Sequence, residues 1–332
     1  MTATPKSDTQ DPGKSNPASV MLSQCVAIII TWQPDVISLR RLVARLLGQG
    51  VEIVIVDNGS GNQPDIAALI DDLKPSLVKS ETAGDNTPAQ PISWLPWPDN
   101  KGLAAGMNRG LSWARQKGYQ FAWLFDQDSD ISDNFCESML SAWHTGSQLT
   151  GRLAALGPRL VDPESGRKTS FRRFRLSQRS DSKLPGATDL FTADFLISSG
   201  TLLSLSALQS IGPMKESYFV DNIDLEWCFR ARNLGWQLLG CDRAELLHRI
   251  GEVSDNPLVK HGLMVSHGPL RFYYSTRNRL HLRQQPYAPS DWVWRDHLRF
   301  LIKTVYLLIS SNQRAEYWRA LWNARRDSKR LP

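Results

Sequence analysis

The stretch "CVAIIITWQPDVISLRRLVARLLGQGVEIVIVDN" covers residues 25–58 and decides the class of fold. Its two ends, residues 25–31 and 51–58, are β-branched apolar runs of the kind found in buried strands. Between them, "LRRLVARLLGQG" has helical periodicity, and Gly48 or Gly50 is placed to end the helix. The stretch therefore predicts a β-α-β unit with two parallel strands.

The same alternation continues outward along the chain. Further strands are predicted over "SWLPW", "FAWLFD", "LAALGPRLV", "FLISSGTLLS" and "WQLLGC", and helices over residues 101–116, 133–144, 207–211 and 223–233. Strands that alternate with helices favour a mostly parallel sheet covered by helices on both faces. The predicted class is α/β. Helices are also expected over 269–284 and between Trp292 and Arg326.

The composition limits the classes of function. The 332 residues carry a net charge of +6, which suits an anionic partner. No nucleic-acid-binding motif accompanies the basic residues, so nucleic acid is not expected as a partner. Four separated cysteines suit the cytoplasm better than a disulfide framework, and no transmembrane helix is predicted. We divide the chain into a disordered tail (1–23), a main domain (24–285) and a basic, aromatic helical segment (286–332).

Polar residues appear where the first strands stop. Asp57 and Asn58 end the second strand, Asn100 follows the third, and Asp126 and Asp128 follow the fourth. In open α/β sheets the ligand lies outside the carboxyl ends of the strands, so these residues predict one site. A turn or helix-cap role is the alternative for each residue taken singly.

The pair Asp126 and Asp128, with Gln127 between them, can supply oxygen ligands to Mg²⁺ or Mn²⁺. The motif is short and occurs often by chance. Asp130, two residues further on, is interpreted as a turn or cap residue.

The stretch "DNKGLAAGMNRG" (residues 99–110) has glycines spaced four apart, unlike a dinucleotide-binding loop. Gly102, Gly106 and Gly110 therefore predict close packing of a helix on a neighbour, and a nicotinamide-dependent oxidoreductase is disfavoured. Helix packing does not account for Asn100 and Asn108.

Three acids in "DNIDLEW" are candidates for acid–base chemistry. Asp224 lies in the first helical turn between apolar neighbours and is the better candidate for a partly buried general base. For Asp221, the alternative to acid–base chemistry is a role as the cap of this helix. Further along, His248 follows an apolar run. Arg277 belongs either to a solvated basic helix or to a clamp on a diphosphate.

In this order, the motifs make the chain similar to family 2 glycosyltransferases of the GT-A fold, and more narrowly to the bacterial rhamnosyltransferases, including those of rhamnolipid synthesis. The resemblance covers residues 26–284. It is carried by "VDNGS", "DNKGLAAGMNRG", "LFDQDS", "LGPRLVD", "FLISSG", "FVDNIDLEWCFRA", "LLHRIGE" and "HGPLRFYYSTRNRLHL".

The resemblance implies a role for each matching position. It places the donor nucleotide, nucleotide sugar and diphosphate at Thr31, Asp57, Asn58, Asn100, Gly102, Asn108, Asp126, Gln127 and Arg277. It implies a metal site at Asp126, Asp128 and His248, the catalytic base at Asp224, and acceptor or sugar contacts at Ser199, Gly200, Asp221 and Glu226. Many relatives carry adjacent acids before this helix, whereas here Ile223 precedes Asp224, so Asp221 remains a second candidate for the base.

The implied activity is an inverting transfer of L-rhamnose from dTDP-L-rhamnose to a glycolipid or glycan hydroxyl. The alternatives are another donor, such as a UDP-hexose or UDP-galactofuranose, and a non-catalytic sugar- or nucleic-acid-binding protein. The C-terminal segment interleaves tryptophan with lysine and arginine, which indicates either peripheral membrane contact or an ordinary amphipathic helix packed on the core. Its residues are Trp292, Trp294, Trp318, Trp322, Lys303, Arg314, Arg319, Arg325 and Arg326.

Overall fold

The computed structural model describes residues 17–73, 91–175, 177–247 and 268–332. The strands of this part of the chain form one mixed sheet. They are β1 Cys25–Thr31, β2 Glu52–Asn58, β3 Ile92–Trp97, β4 Phe121–Asp126, β5 Asp130–Ile131, β6 Leu153–Val161, β7 Leu190–Ala193, β8 Leu202–Ser204 and β9 Gln237–Leu247. The sheet order is β3-β2-β1-β4-β8-β6-β9-β5, with β7 on β9.

Four neighbouring strands, β3, β2, β1 and β4, are all parallel. The short strand β8 pairs antiparallel to both β4 and β6, after which β6 and β9 are parallel again. A parallel set needs crossover helices, and these cover both faces. The predicted α/β class and mostly parallel sheet are confirmed.

The helices follow the predicted alternation, with the helix Gln63–Leu73 in addition and with bounds that differ by several residues at some ends. They are α1 Pro17–Leu22, α2 Val36–Gly48, α3 Gln63–Leu73, α4 Leu103–Gln116, α5 Phe135–Thr150, α6 Leu205–Ile211, α7 Ile223–Asn233, α8 Pro269–Leu282, α9 Ser290–Ser310 and α10 Arg314–Asp327. Short 3₁₀ turns cover Glu216–Tyr218 and Ser328–Arg330.

Two hydrophobic cores lie on opposite faces of the sheet. Alternate residues of β1 divide between them, because side chains of a strand point to opposite faces. One core joins the sheet to α4, α6 and α7, and the other joins it to α2, α3 and α5. The glycines of α4 bring that helix close to β1: a Cβ on Gly106 would lie 2.9 Å from the Cγ2 of Ile30. The predicted close packing is therefore confirmed, with the sheet as the neighbour.

The structure corrects two local predictions and adds two short strands. Helix α1 lies within the predicted tail, because Met21 and Leu22 pack against the core. Only residues 202–204 of "FLISSGTLLS" form a strand, because Gly200 has φ +75° and the chain leaves the pleat there. Strands β5 and β7 were not predicted, since each is too short to show a periodic pattern.

The C-terminal helices pack against the main body of the chain. Trp292 is buried and its ring meets that of Phe229 edge-on, with centroids 5.1 Å apart. Arg283 of the turn after α8 pairs with Asp296 of α9 at 2.6 Å. Among the described residues, no helix is both long and apolar enough to cross a bilayer.

Candidate active site

The ends of the parallel strands bring the predicted site residues to one edge. Thr31 lies beside Asp57 in the β1–β2 register, and Ile30 lies beside Asp126 in the β1–β4 register. Asn58 lies beside Trp97 at the end of β3. The prediction that these strand ends share one edge of the sheet is therefore confirmed.

Asp57 is fully buried and orders the turn after β2. Its Oδ1 accepts a hydrogen bond from Thr31 Oγ1 at 2.9 Å and another from the Ser60 hydroxyl. Its Oδ2 accepts from the Ser60 N–H at 3.1 Å and from Gln63 Nε2 at 2.7 Å. Four donors of the chain thus surround this carboxylate, so its direct effect is on the shape of the turn.

Two asparagines join the ends of β2 and β3. Asn58 Nδ2 donates to Asn100 Oδ1 at 3.0 Å, and Asn58 Oδ1 accepts from the Lys101 N–H at 2.8 Å. Asn100 Oδ1 also accepts from the Gly102 N–H at 2.8 Å. Gly102 has φ +93°, and a Cβ there would meet Phe219, which explains a glycine at this position.

Residues 126–130 form a turn that is fixed from two sides. Ser199 Oγ accepts from the Asp126 N–H at 3.3 Å and is bonded to the hydroxyl of Ser129. Gln127 Oε1 accepts from the Trp32 N–H at 2.7 Å, which joins this turn to the end of β1. Asp128 is exposed at the tip of the turn.

Asp130 was predicted to be a turn or cap residue. This prediction is wrong, because Asp130 begins β5 and forms two ion pairs. Its carboxylate lies 3.2 Å from Arg41 Nε and 3.1 Å from an Nη of Arg45, both on α2. These ion pairs join the turn after β4 to α2, which lies on the face of the sheet opposite to α4 and α7.

Asp224 is half-buried at the start of α7 and has an unusual protonation equilibrium. Burial raises the pKa of Asp224 to about 7, and the charges of Asp126 and Asp221 contribute to the rise. Hydrogen bonds from the backbone N–H groups of Leu225 and Ser198 lower this pKa but do not cancel the rise. The effect of Asp126 indicates that the start of α7 lies close to the end of β4. A carboxyl group that titrates near neutral pH is suited to accept a proton.

Asp221 belongs to a strained loop, residues 217–222, directly before α7. Phe219, Asp221 and Asn222 have φ of +63°, +65° and +61°. Asp221 pairs with Arg271 of α8, with its Oδ1 3.1 Å from an Nη atom. Left-handed backbone at residues other than glycine requires support from the surroundings, and it concentrates at functional sites.

Helix α8 supplies that support. Asn278 is buried, and its Nδ2 lies 2.8–2.9 Å from the carbonyl oxygens of Tyr218, Val220 and Asp221. Arg277 donates to the carbonyl oxygens of Ser217 and Tyr218 at 2.6 and 3.2 Å. The prediction did not include Asn278, because a single asparagine between two arginines carries no sequence signal of burial.

Two predicted site residues, Asn108 and Glu226, bond to other parts of the chain. Asn108 is buried, and its amide bonds the backbone of Met214 and the carboxylate of Glu216, while its contact with the donor stays a prediction. Glu226 is also buried and is held by Arg230 at 2.8 Å and by Tyr287 at 2.7 Å, while its contact with the acceptor stays a prediction.

The structure places the remaining predicted residues around the same edge. Ser199 and Gly200 are buried beside β4, where they fix the turn after it, and Arg277 holds the 217–222 loop. Their contacts with donor or acceptor stay predictions. His248 lies outside the described residues, and within those residues no three His, Cys, Asp or Glu side chains cluster as a metal site.

A cavity of about 260 Å³ lies beside the segment that leads to Ser198, whose backbone N–H donates a hydrogen bond to Asp224. Phe195, Leu196 and Ile197, the residues just before Ser198, form one wall, and Thr169–Arg172 form the other. The second wall belongs to the chain segment 164–192, which is not part of the regular alternation of strands and helices.

Taken together, the mixed sheet, the helices on both of its faces and the acids at the carboxyl ends of its parallel strands are those of a GT-A fold. The chain belongs to glycosyl transferase family 2, which it matches over residues 28–211, and it is a glycosyltransferase.

Two characterised proteins are similar over most of the chain. The dTDP-rhamnosyl transferase RfbF of Shigella flexneri is 26% identical over 90% of this chain and 92% of its own length. The galactofuranosyltransferase GlfT1 of Mycolicibacterium smegmatis is 25% identical over 75% of this chain and 83% of its own length.

Among solved structures, the fold is similar to GalNAc-T7 crystallised with UDP, GalNAc and Mn²⁺. The TM-score is 0.53 at 12% identity, over 87% of this chain, which spans 57% of the length of that protein. At this identity the likeness concerns the fold alone.

Proposed function

We propose that the chain transfers L-rhamnose from dTDP-L-rhamnose to an acceptor hydroxyl with inversion at the anomeric carbon. Asp224 removes the proton of the acceptor hydroxyl, and the resulting oxygen attacks the anomeric carbon from the face opposite the diphosphate. The bond between that carbon and the diphosphate oxygen breaks as the new bond forms, and dTDP leaves with the electron pair. The similarity to RfbF supports the choice of donor.

The observation that carries the proposal is the place of Asp224 at the start of α7, where it accepts hydrogen bonds from the Leu225 and Ser198 N–H groups beside the acids at the end of β4, and where burial raises its pKa. At about 7, this pKa keeps much of the carboxyl group in its basic form near neutral pH, with more driving force for proton uptake than an ordinary aspartate has. Asp221 is the weaker candidate for the base because its carboxylate is already paired with Arg271.

A divalent cation fits the chemistry of this edge. Asp126 and Asp128 offer carboxylate oxygens, and the mutual repulsion of Asp126, Asp221 and Asp224 would fall beside a positive charge. Mg²⁺ or Mn²⁺ held there would neutralise charge on the departing diphosphate. GalNAc-T7 was crystallised with Mn²⁺ and UDP, which is in keeping with this assignment. His248 remains the proposed third ligand.

The acceptor is proposed to approach from the side of the 260 Å³ cavity. The apolar part of its lining, Phe171, Phe195 and Leu196, suits the hydrophobic part of a glycolipid or the apolar face of a sugar. We therefore propose a glycolipid or glycan hydroxyl as the acceptor. The four unpaired cysteines favour a reducing compartment, which agrees with a cytoplasmic location.

Replacement of Asp224 tests the mechanism, with Asp221 as the matched control. Asp224→Asn should lower kcat for transfer by about 10²- to 10⁴-fold with donor affinity nearly unchanged, because only proton removal is lost. Asp221→Asn should retain most of kcat. The measurement is product formation from dTDP-L-rhamnose with Mg²⁺ or Mn²⁺. An active Asp224→Asn beside an inactive Asp221→Asn would transfer the base assignment to Asp221.

The main alternative is the same fold with a different donor. The similarity to GlfT1 favours UDP-galactofuranose as the second candidate. A panel of dTDP-L-rhamnose, UDP-galactofuranose and UDP-hexoses, with nucleotide release as the readout, separates the candidates. Turnover of a UDP-sugar without turnover of dTDP-L-rhamnose contradicts the proposed donor.

A further inference from the structure

The last two long helices expose an apolar stripe that nothing in the described structure covers. Its members on α9 follow helical spacing along one face, and their exposed fractions run from 47% to 71%. They are Trp294, Leu298, Leu301, Ile302, Val305 and Ile309. The opposite face of α9, with Trp292, Thr304 and Leu307, is buried.

Helix α10 continues the stripe across a groove. Trp318 and Trp322, one turn apart, are 58% and 65% exposed. The groove between the helices has a volume of about 800 Å³, and its walls include Trp294, Leu301 and Trp322. Two adjacent helices thus present one continuous tryptophan-rich surface, which we call the Trp face.

The C-terminal region that carries the Trp face is strongly positive. Residues 268–332 contain thirteen lysines and arginines against four acids, so this fifth of the chain carries more positive charge than the whole molecule with its net +6. Arg319 and Arg325 are exposed on α10 beside the two tryptophans. Basic residues beside tryptophans on a helical surface are typical of helices that lie in the interface of an anionic bilayer.

The same charge disfavours a second copy of the chain as the occupant. A twofold dimer brings identical patches together, so the basic patch with Arg319 and Arg325 would meet a second basic patch of like charge. An anionic lipid surface instead offers both an apolar layer for the tryptophans and negative headgroups for the arginines.

We propose that the Trp face docks on an anionic phospholipid bilayer and holds the enzyme at the surface as a peripheral protein. The docking goes beyond the choice of donor and does not depend on it. The face is also linked to the catalytic end of the molecule. Leu280 and Arg283, at the end of α8, line the groove, while Asn278 of the same helix holds the loop beside Asp224. An acceptor in the membrane would therefore be presented near the base.

Flotation with lipid vesicles tests the docking. The parent protein should float with phosphatidylcholine vesicles that contain about 30 mol% phosphatidylglycerol, and about 0.5 M NaCl should weaken this binding. Trp294→Ser, Trp318→Ser and Trp322→Ser combined should lower partition about tenfold or more. The matched control, Ile37→Ser with Leu149→Ser, removes exposed apolar side chains elsewhere and should float like the parent.

Two double arginine variants test the electrostatic part of the docking. Arg319→Gln with Arg325→Gln should lower partition about tenfold, whereas Arg115→Gln with Arg179→Gln, exposed arginines outside the Trp face, should have a smaller effect. Transfer to a water-soluble acceptor should be unchanged in the tryptophan variant, since those side chains lie outside the active site. Vesicle binding needs no donor, so failure of the proposed donor and failure of docking are distinguishable.

Two results would overturn the docking proposal. One is equal flotation of the parent and the tryptophan variant. The other is a parent dimer in solution that ignores vesicles and becomes monomeric in the tryptophan variant, which would assign the face to a second copy of the chain.

Discussion

The acids of the active-site edge differ in use because their surroundings differ. Asp57 is surrounded by four donors of the chain and shapes a turn, whereas Asp130 is neutralised by Arg41 and Arg45. Asp224 is half-buried beside other negative charges, so its proton is held more tightly. Composition alone cannot separate such roles, because the same carboxyl group shapes a turn, forms ion pairs or has a raised pKa according to what lies around it.

The raised pKa of Asp224 predicts a stability effect with a defined pH dependence. In the unfolded chain this carboxyl group titrates near its ordinary value of 3.8, and in the folded protein near 7. Between these values the folded state binds more protons, so its stability falls as the pH rises through this window. Asp224→Asn carries no charge, and it should stabilise the protein above pH 7 by up to about 4 kcal/mol relative to the parent.

Urea unfolding at pH 4 and pH 8, with a chelator present, measures this difference. The advantage of Asp224→Asn should be nearly absent at pH 4 and fully present at pH 8. The exposed Asp133→Asn is the control and should give a much smaller change between the two pH values. If Asp224→Asn is equally destabilised at both pH values, burial does not raise the pKa of this carboxyl group in the folded protein.

At the scale of elements, the regular alternation of strands and helices was predictable because it depends on local pattern. The apolar runs of β1, β2 and β4 occur at their predicted positions, and the acids at their ends follow from parallel pairing. The roles of Asn108 and Glu226 were not predictable. Each is a polar residue on a helix whose partners, Met214 and Tyr287, are distant in sequence, so only tertiary structure shows that both are buried.

Helix α8 acts as a brace for the 217–222 loop, and Asn278 is its central residue. Asn278→Ala removes the amide that holds three carbonyl oxygens of that loop, so the start of α7 should shift. We expect kcat to fall by about 10²-fold, because small misplacements of a base are costly, with donor affinity changed far less. Steady-state transfer and donor titration together measure this separation.

Asn323→Ala, on the exposed side of α10, is the matched control and should behave like the parent. A parent-like kcat in Asn278→Ala would mean that the loop keeps its left-handed backbone without the brace.

At the scale of the whole molecule, the C-terminal helices are part of the folded core and not a loose appendage. Tyr287, between α8 and α9, donates to the buried carboxylate of Glu226 at 2.7 Å. Tyr287→Phe removes this donor, and the free energy of unfolding should fall by about 1.5–3 kcal/mol, since the acceptor is charged and buried. Urea unfolding should remain a single transition, whereas an early separate transition of the C-terminal helices would contradict a common core.

The uneven charge of the chain also affects how the enzyme meets a surface. The positive excess lies in the last three helices and the remainder of the chain is slightly negative, so the charge distribution has the character of a dipole. The field of an anionic surface exerts a torque on such a dipole before any contact is made, at distances up to a Debye length of about 10 Å. The enzyme should thus arrive already oriented, and its search for acceptors then becomes diffusion in two dimensions.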